Sequence, residues 1–141
     1  MVIRKAEATW NGSLKEGKGT MKVGSGAFSG AFTWRSRFED EPGTNPEELI
    51  GAAHAGCFSM SVSSKLGKAG FTPDSITTRA KVHFGKVDGV STITLIELDC
   101  EASVPGIEAA QFAEITEAAR TGCPVSVALA GVEIRLDARL V

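Results

Sequence analysis

The sequence contains no tyrosine, two histidines and three cysteines. The missing tyrosine removes one common acid–base group. An odd cysteine count without a CxxC pair argues against a disulfide framework and against a zinc ribbon. No apolar run approaches the ~20 residues needed to span a bilayer. The opening stretch MVIRKAEATW lacks the apolar segment of a secretory leader. The expected location is therefore the cytoplasm, where free thiols are the rule. An excess of one charge is also lacking: the net charge is −2 and the pI is near 5.7. Neither nucleic acid nor an anionic membrane has an electrostatic claim on such a chain. Phosphate-binding glycine loops of the GxxxxGKS/T kind, internal repeats, low-complexity tracts and long linkers are absent. The 141 residues read as one domain, 1–141.

What is present is organised around residues 44–70, TNPEELIGAAHAGCFSMSVSSKLGKAG. Asn45 suits an N-cap, Pro46 the first helical position, and Glu47 and Glu48 the positive end of the helix dipole. Glu48 also stands where a capping-box acid would. Beyond the first turn no charge occurs before Lys65, and apolar residues fall on more than one face. A helix apolar nearly all round is expected to be buried. Near its middle lie His54 and Cys57, with Gly56 beside the thiol.

Upstream, residues 2–10, 17–24 and 29–38 read as three strands, an antiparallel meander opened by the Asn11-Gly12 turn. In the third, period two puts Phe32, Trp34, Ser36 and Phe38 on one face and Thr33, Arg35 and Arg37 on the other. Downstream, residues 75–84 alternate, Lys86-Val87-Asp88-Gly89 closes a hairpin, and residues 90–104 form a long β-branched strand. Ile107–Arg120 has helical spacing, with Gly122 as its stop. Cys123-Pro124 can cap a short helix, PVSVALAG, and residues 132–140 form the last strand. The order β-β-β-α-β-β-α-(short α)-β is α+β, with antiparallel pairing suggested by the turns.

The chemistry-bearing candidates each have a plain alternative. Cys57 is either a small buried hydrophobe or a nucleophile that glycine leaves approachable. Cys123 is either a turn residue or a thiol whose ionisation, from a free pKa of about 8.5, is aided by a helix N-terminus. Cys100, between Asp99 and Glu101, reads as structural. Cys57, His54, Cys123 and His83 could be drawn as metal ligands, but only His54 and Cys57 have a recognisable spacing, so no metal is expected. A Cys57–His54 hydrolase dyad lacks an orienting acid. His54 reads better as a pocket wall or hydrogen-bonding residue. Arg35, Arg37, Glu47 and Glu48 read first as a solvated strand face and dipole compensation.

GTNPEELIGAAHAGCFSM (43–60) together with GCPVS (122–126) closely resembles the OsmC branch of the OsmC/Ohr family. RFE at 37–39 and SVPGI at 103–107 agree, so the resemblance spans essentially the whole chain. It implies an α+β, OsmC-like fold in which antiparallel sheets wrap long central buried helices in an intertwined homodimer. It implies a thiol peroxidase acting in defence against oxidative or osmotic stress without metal, haem or flavin. The substrates implied are organic hydroperoxides and, more weakly, hydrogen peroxide, with a dithiol reductant, for which the family's Ohr branch implies the lipoyl type. Residue by residue, Cys57 matches the peroxidatic cysteine and Cys123 the resolving cysteine that forms a disulfide with it. Glu47 matches the family glutamate, and Arg37, or else Arg35, the arginine that activates the thiolate. Ile50, Phe58 and Met60, with His54, are expected to wall a substrate pocket. Glu47 and Cys57 are ten residues apart on one helix, about 15 Å along its axis. A shared site therefore needs an arginine as intermediary or a second copy of the helix. The competing readings are a non-catalytic stress-response binding protein of the same fold and a Cys–His hydrolase.

Overall fold

Asp88 and Gly89 both adopt positive φ, 50° and 77°. This is the backbone a two-residue hairpin loop needs. They join the two longest strands in a computed structural model that describes all of residues 1–141. The elements are β1 (Ala6–Asn11), β2 (Lys18–Val23), β3 (Ser29–Phe32), α1 (Trp34–Phe38), α2 (Pro46–Lys68), β4 (Ser75–Val87), β5 (Val90–Ser103), α3 (Ala109–Gly122), α4 (Pro124–Ala128) and β6 (Glu133–Leu140). No helix is long and apolar enough to cross a membrane. The chain divides into two compact units, Met1–Leu49 and Ile50–Val141.

The first unit holds an antiparallel sheet in the order β1-β2-β3. Its third strand is shorter than the sequence pattern suggests. It ends at Phe32 because Thr33 caps a short helix. The Thr33 hydroxyl accepts the Ser36 backbone N–H at 3.0 Å, and the Ser36 hydroxyl accepts the Thr33 N–H at 2.8 Å. This reciprocal capping box turns residues 34–38 into α1. Trp34, Ser36 and Phe38 therefore do not continue the face of Phe32. Trp34 and Phe38 instead meet as helical neighbours, their ring centroids 5.4 Å apart. Asn45 then caps α2, accepting the Glu48 N–H on Oδ1 at 2.8 Å.

The second unit is built on a sheet in the order β4-β5-β6. β4 and β5 pair antiparallel, with an irregularity between His83 and Phe84. β6 runs parallel to β5, where an all-antiparallel arrangement was expected. The reason is the connection: α3 and α4 intervene, and a long helical crossover returns a strand in parallel. Along β5, Ile96, Leu98, Cys100 and Ala102 face inward, and Glu97, Asp99 and Glu101 face the other way. The core joins those residues to Phe58, Val62 and Leu66 of α2 and to Phe112 and Ala119 of α3. Cys100 is a core residue, and burial pushes its thiol pKa up.

Within one chain α2 is not covered all round. Gly51, His54, Phe58, Val62 and Leu66 form a buried stripe at helical spacing. Ala52, Ala53, Gly56 and Met60 are exposed, Met60 to 76%. A single sheet can cover only one side of a cylinder, so the opposite apolar face stays open.

Because the Thr33 hydroxyl makes one half of the capping box of α1, Thr33→Ala is expected to cost about 1 kcal/mol. Thr33→Ser should retain most of that stability. Urea midpoints of the two variants against the parent check this, and equal midpoints for all three would disprove the cap's contribution.

Candidate active site

Two groups of expected site residues stand in the structure, one in each unit. In the first, Arg37 leaves α1 to hold Glu47, in the first turn of α2, by a two-toothed contact. Arg37 Nη2 donates to Glu47 Oε1 at 2.7 Å, and Nε donates to Oε1 and Oε2 at 3.1 and 3.2 Å. The carboxylate is almost wholly buried and the guanidinium about one third exposed. A fork-on-carboxylate contact fixes the direction of both groups as well as their separation. Of the two candidate arginines, Arg37 is the one so held. Arg35, on the same short helix, is exposed.

In the second unit the structure brings Cys57 and Cys123 together. Cys123 stands close enough to Cys57 to raise its pKa, and both thiols are free of any disulfide. Cys57 lies at the edge of the buried stripe of α2 and is half-buried, whereas Cys123 is 0% exposed. Cys123 caps α4 as its sequence suggests: its sulfur accepts the Ser126 N–H at 3.4 Å. The next free donor of that turn, the Val125 N–H, points to Cys57. Pro124, at the helix start, has no N–H to place. The two consecutive backbone donors of the first turn thus serve the two sulfurs.

Burial pushes the Cys57 thiol pKa above its ordinary value, the Val125 N–H opposes this, and the neighbouring Cys123 adds to the rise. None of these groups is a cation.

His54 is wholly buried. Its Nε2 is 2.7 Å from Ser126 Oγ, and the same hydroxyl lies 3.1 Å from Cys123 Sγ. His54 Nδ1 is buried without a partner. The imidazole faces the serine and not Cys57. Ser126 is the residue that sequence reasoning missed. Its signal was there, since the third residue after an N-cap returns its backbone N–H to the cap.

The remaining expected residues are spread out. Phe58 is 0% exposed in the core, Ile50 is half-buried against it, and Met60 lies on the open face of α2. His83 is on the outer face of the sheet, its Nε2 2.6 Å from Glu97 Oε2, a contact that lowers the Glu97 pKa. No three histidine, cysteine or acidic side chains gather as a metal cluster.

This arrangement of reduced, paired thiols on an α+β frame can be set beside known proteins. The sequence pattern of the OsmC-like protein family matches residues 38–137. Peroxiredoxin OsmC of Escherichia coli (strain K12) is 52% identical over 140 residues, covering 99% of this chain and 97% of that protein. Among solved structures, an OsmC-like protein from Mycoplasma pneumoniae superposes with a TM-score of 0.79 at 16% identity, covering 99% and 98% of the two chains. The organic hydroperoxide resistance protein OhrB of Bacillus subtilis does so with 0.76 at 23%, covering 96% and 98%. The fold is thus shared with both, and the chain belongs to the OsmC family.

Burial holds the His54 pKa below the ordinary histidine value, about 6.5. The unfolded chain takes up a proton near that pH while the folded chain leaves the ring neutral. Below about pH 6.5 the unfolded state binds more protons, so stability falls as pH falls. Urea midpoints between pH 7.5 and 5.5 should decline in the parent and decline less in His54→Gln. Parallel slopes would show that the buried ring contributes nothing to acid sensitivity.

Proposed function

We propose that the chain is a cofactor-free thiol peroxidase that reduces organic hydroperoxides, and hydrogen peroxide more weakly, as one OsmC-like domain spanning 1–141. The observation that carries this reading is the neighbouring, reduced Cys57 and Cys123 in a chain 52% identical to a protein named peroxiredoxin.

The Cys57 thiolate attacks the terminal peroxide oxygen. The O–O bond breaks, the alkoxide takes a proton and leaves as the alcohol, and Cys57 becomes a sulfenic acid. Cys123 then attacks the Cys57 sulfur, water leaves, and a disulfide forms. A dithiol reductant, for which the lipoyl type is the candidate, reopens it by exchange. We assign Cys57 as the peroxidatic and Cys123 as the resolving cysteine. Arg37, oriented by Glu47, is assigned as the cation that activates the Cys57 thiolate. Ile50 and Met60 remain the candidates for contact with the organic part of the substrate.

The same reading makes the protein a homodimer. The open face of α2 carries Ala52, Ala53, Gly56 and Met60, small and apolar residues that suit close helix packing. In that assembly Glu47 and Arg37 act across subunits. The reaction belongs to the cytoplasm, where dithiol reductants keep cysteines reduced, and to defence against oxidative or osmotic stress.

Two other readings fare worse. A Cys–His hydrolase needs His54 on Cys57, and its Nε2 is engaged by Ser126. A non-catalytic binding protein has no need of two thiols in contact.

Treatment with substoichiometric cumene hydroperoxide is expected to consume the peroxide and to yield a Cys57–Cys123 disulfide, seen by peptide mass spectrometry. Cys57→Ser should abolish consumption. Cys123→Ser should allow one turnover and then stall. Persistent free thiols beside unconsumed peroxide would overturn the peroxidase reading.

A further inference from the structure

The first half of such a cycle needs Cys57, and the second half needs a nucleophile that the peroxide does not make. Cys123 is fully buried, and two polar groups that meet its sulfur come from one residue. Ser126 offers its backbone N–H at 3.4 Å, and its hydroxyl lies 3.1 Å from the sulfur. That hydroxyl is in turn held at 2.7 Å by His54 Nε2, across 72 residues of chain.

A neutral imidazole has one N–H and one lone pair, and burial disfavours imidazolium. In the tautomer protonated on Nε2, the one taken for the resolving step, Ser126 Oγ accepts the ring N–H. His54 then acts as a donor to the serine. It occupies one lone pair of the serine oxygen and pins it beside Cys123. In the thiol, Cys123 S–H donates to the second lone pair. In the thiolate, the serine hydroxyl turns and donates to sulfur.

We propose that Ser126, held in place by His54, governs the resolving step: it stabilises the Cys123 thiolate as nucleophile and as leaving group. The inference rests on the two-cysteine peroxidase reading above. In the forward direction, Cys57–SOH and Cys123–SH become Cys57–S–S–Cys123 and water. The Cys123 proton passes to the departing hydroxyl, the sulfur–sulfur bond forms, and the Cys57 sulfur–oxygen bond breaks. In reduction, the external dithiol attacks Cys57, and Cys123 leaves as a thiolate received by the same two donors. The better-stabilised thiolate is the better leaving group, so the arrangement directs the reductant to Cys57. Ser126 contacts a reacting atom. His54 acts only through it and is a positioning residue.

The test separates the two half-reactions in the full-length protein. Single-turnover reaction with cumene hydroperoxide gives the rate of peroxide loss, and acid-quenched alkylation with mass spectrometry gives the rate of disulfide formation. In Ser126→Ala and His54→Phe, peroxide loss should stay within about twofold of the parent. Disulfide formation should slow by about tenfold or more, with a Cys57 sulfenic acid accumulating and trapped by dimedone. Ser126→Thr keeps the hydroxyl and His54→Gln keeps a donor near the Nε2 position, so both should restore most of the rate. A merely structural role would slow both steps together and would not be rescued selectively. Equal slowing of both steps, or a parental disulfide rate in Ser126→Ala, overturns the proposal. If His54→Phe does not fold, Ser126→Ala decides alone. Should the parent itself consume no peroxide, the peroxidase reading fails first. Should the parent form its disulfide while Ser126→Ala matches it, only the present inference fails.

Discussion

The first turn of α4 is the constraint on which the thiol chemistry depends. An α-helix begins with backbone N–H groups that have no partner inside the helix. Here Pro124 removes one of them, Val125 directs the next to Cys57, and Ser126 directs the third to Cys123. Donors that helices commonly give to a cap oxygen or to water go to two sulfurs. The same geometry fixes Cys123 as a cap residue, so its side chain has little freedom left. Its partner is held from the other side, because Cys57 flanks the buried stripe of α2, whose Phe58, Val62 and Leu66 are locked into the core. Two rigid elements therefore meet at the sulfurs, and neither cysteine depends on a loop for its position.

The outer support of this meeting point is the sheet of the second unit. α2 lies close on β4, where a Cβ at Gly51 would stand 3.3 Å from Val82 and 3.5 Å from Ala80. Ser59 and Thr78 join their hydroxyls at 2.7 Å across the same contact. On the far side of the sheet Arg139 bridges Asp99 and Glu101. These charged pairs lie half-buried at the surface, where ion pairs contribute little to stability. The core, and not the charged face, holds the frame that carries Cys57.

Much of this was legible in the residues themselves. The caps of α2, the Asp88-Gly89 hairpin, the core face of β5 and the capping role of Cys123 each follow from a local rule that the tertiary structure obeys. The misreadings have identifiable causes. Residues 32–38 satisfy period two as a strand and also satisfy a Thr-x-x-Ser cap, and a five-residue helix is too short to display its own period. The parallel entry of β6 leaves no mark in its alternation, which is the same for either direction. The length of the connection from β5 was the signal, and it was available. The all-round apolar character of α2 exceeds what one sheet covers, and apolar composition alone does not say which face one chain covers and which it leaves open. Of the site, the two cysteines and the Arg37–Glu47 pair were recognised by resemblance, and Ser126 was missed. A serine three residues after a cap looks like any polar residue of a short helix. Its role depends on His54, which only the fold brings to it.

Exposure divides the work between the two sulfurs. Cys57 is half-buried and can be reached from outside, while Cys123 is sealed and faces Cys57, Ser126 and the core. On the proposed mechanism a peroxide meets the half-buried Cys57 before the buried Cys123. This order matters chemically. A sulfenic acid formed on a buried cysteine would have no route to an external reductant, and further oxidation is largely irreversible. Burying Cys123 protects it from that fate. On the proposed mechanism, burial of the Cys123 sulfur and its hydrogen bonds to Ser126 are two sides of one requirement: a nucleophile inaccessible to the oxidant is held in place from within the protein.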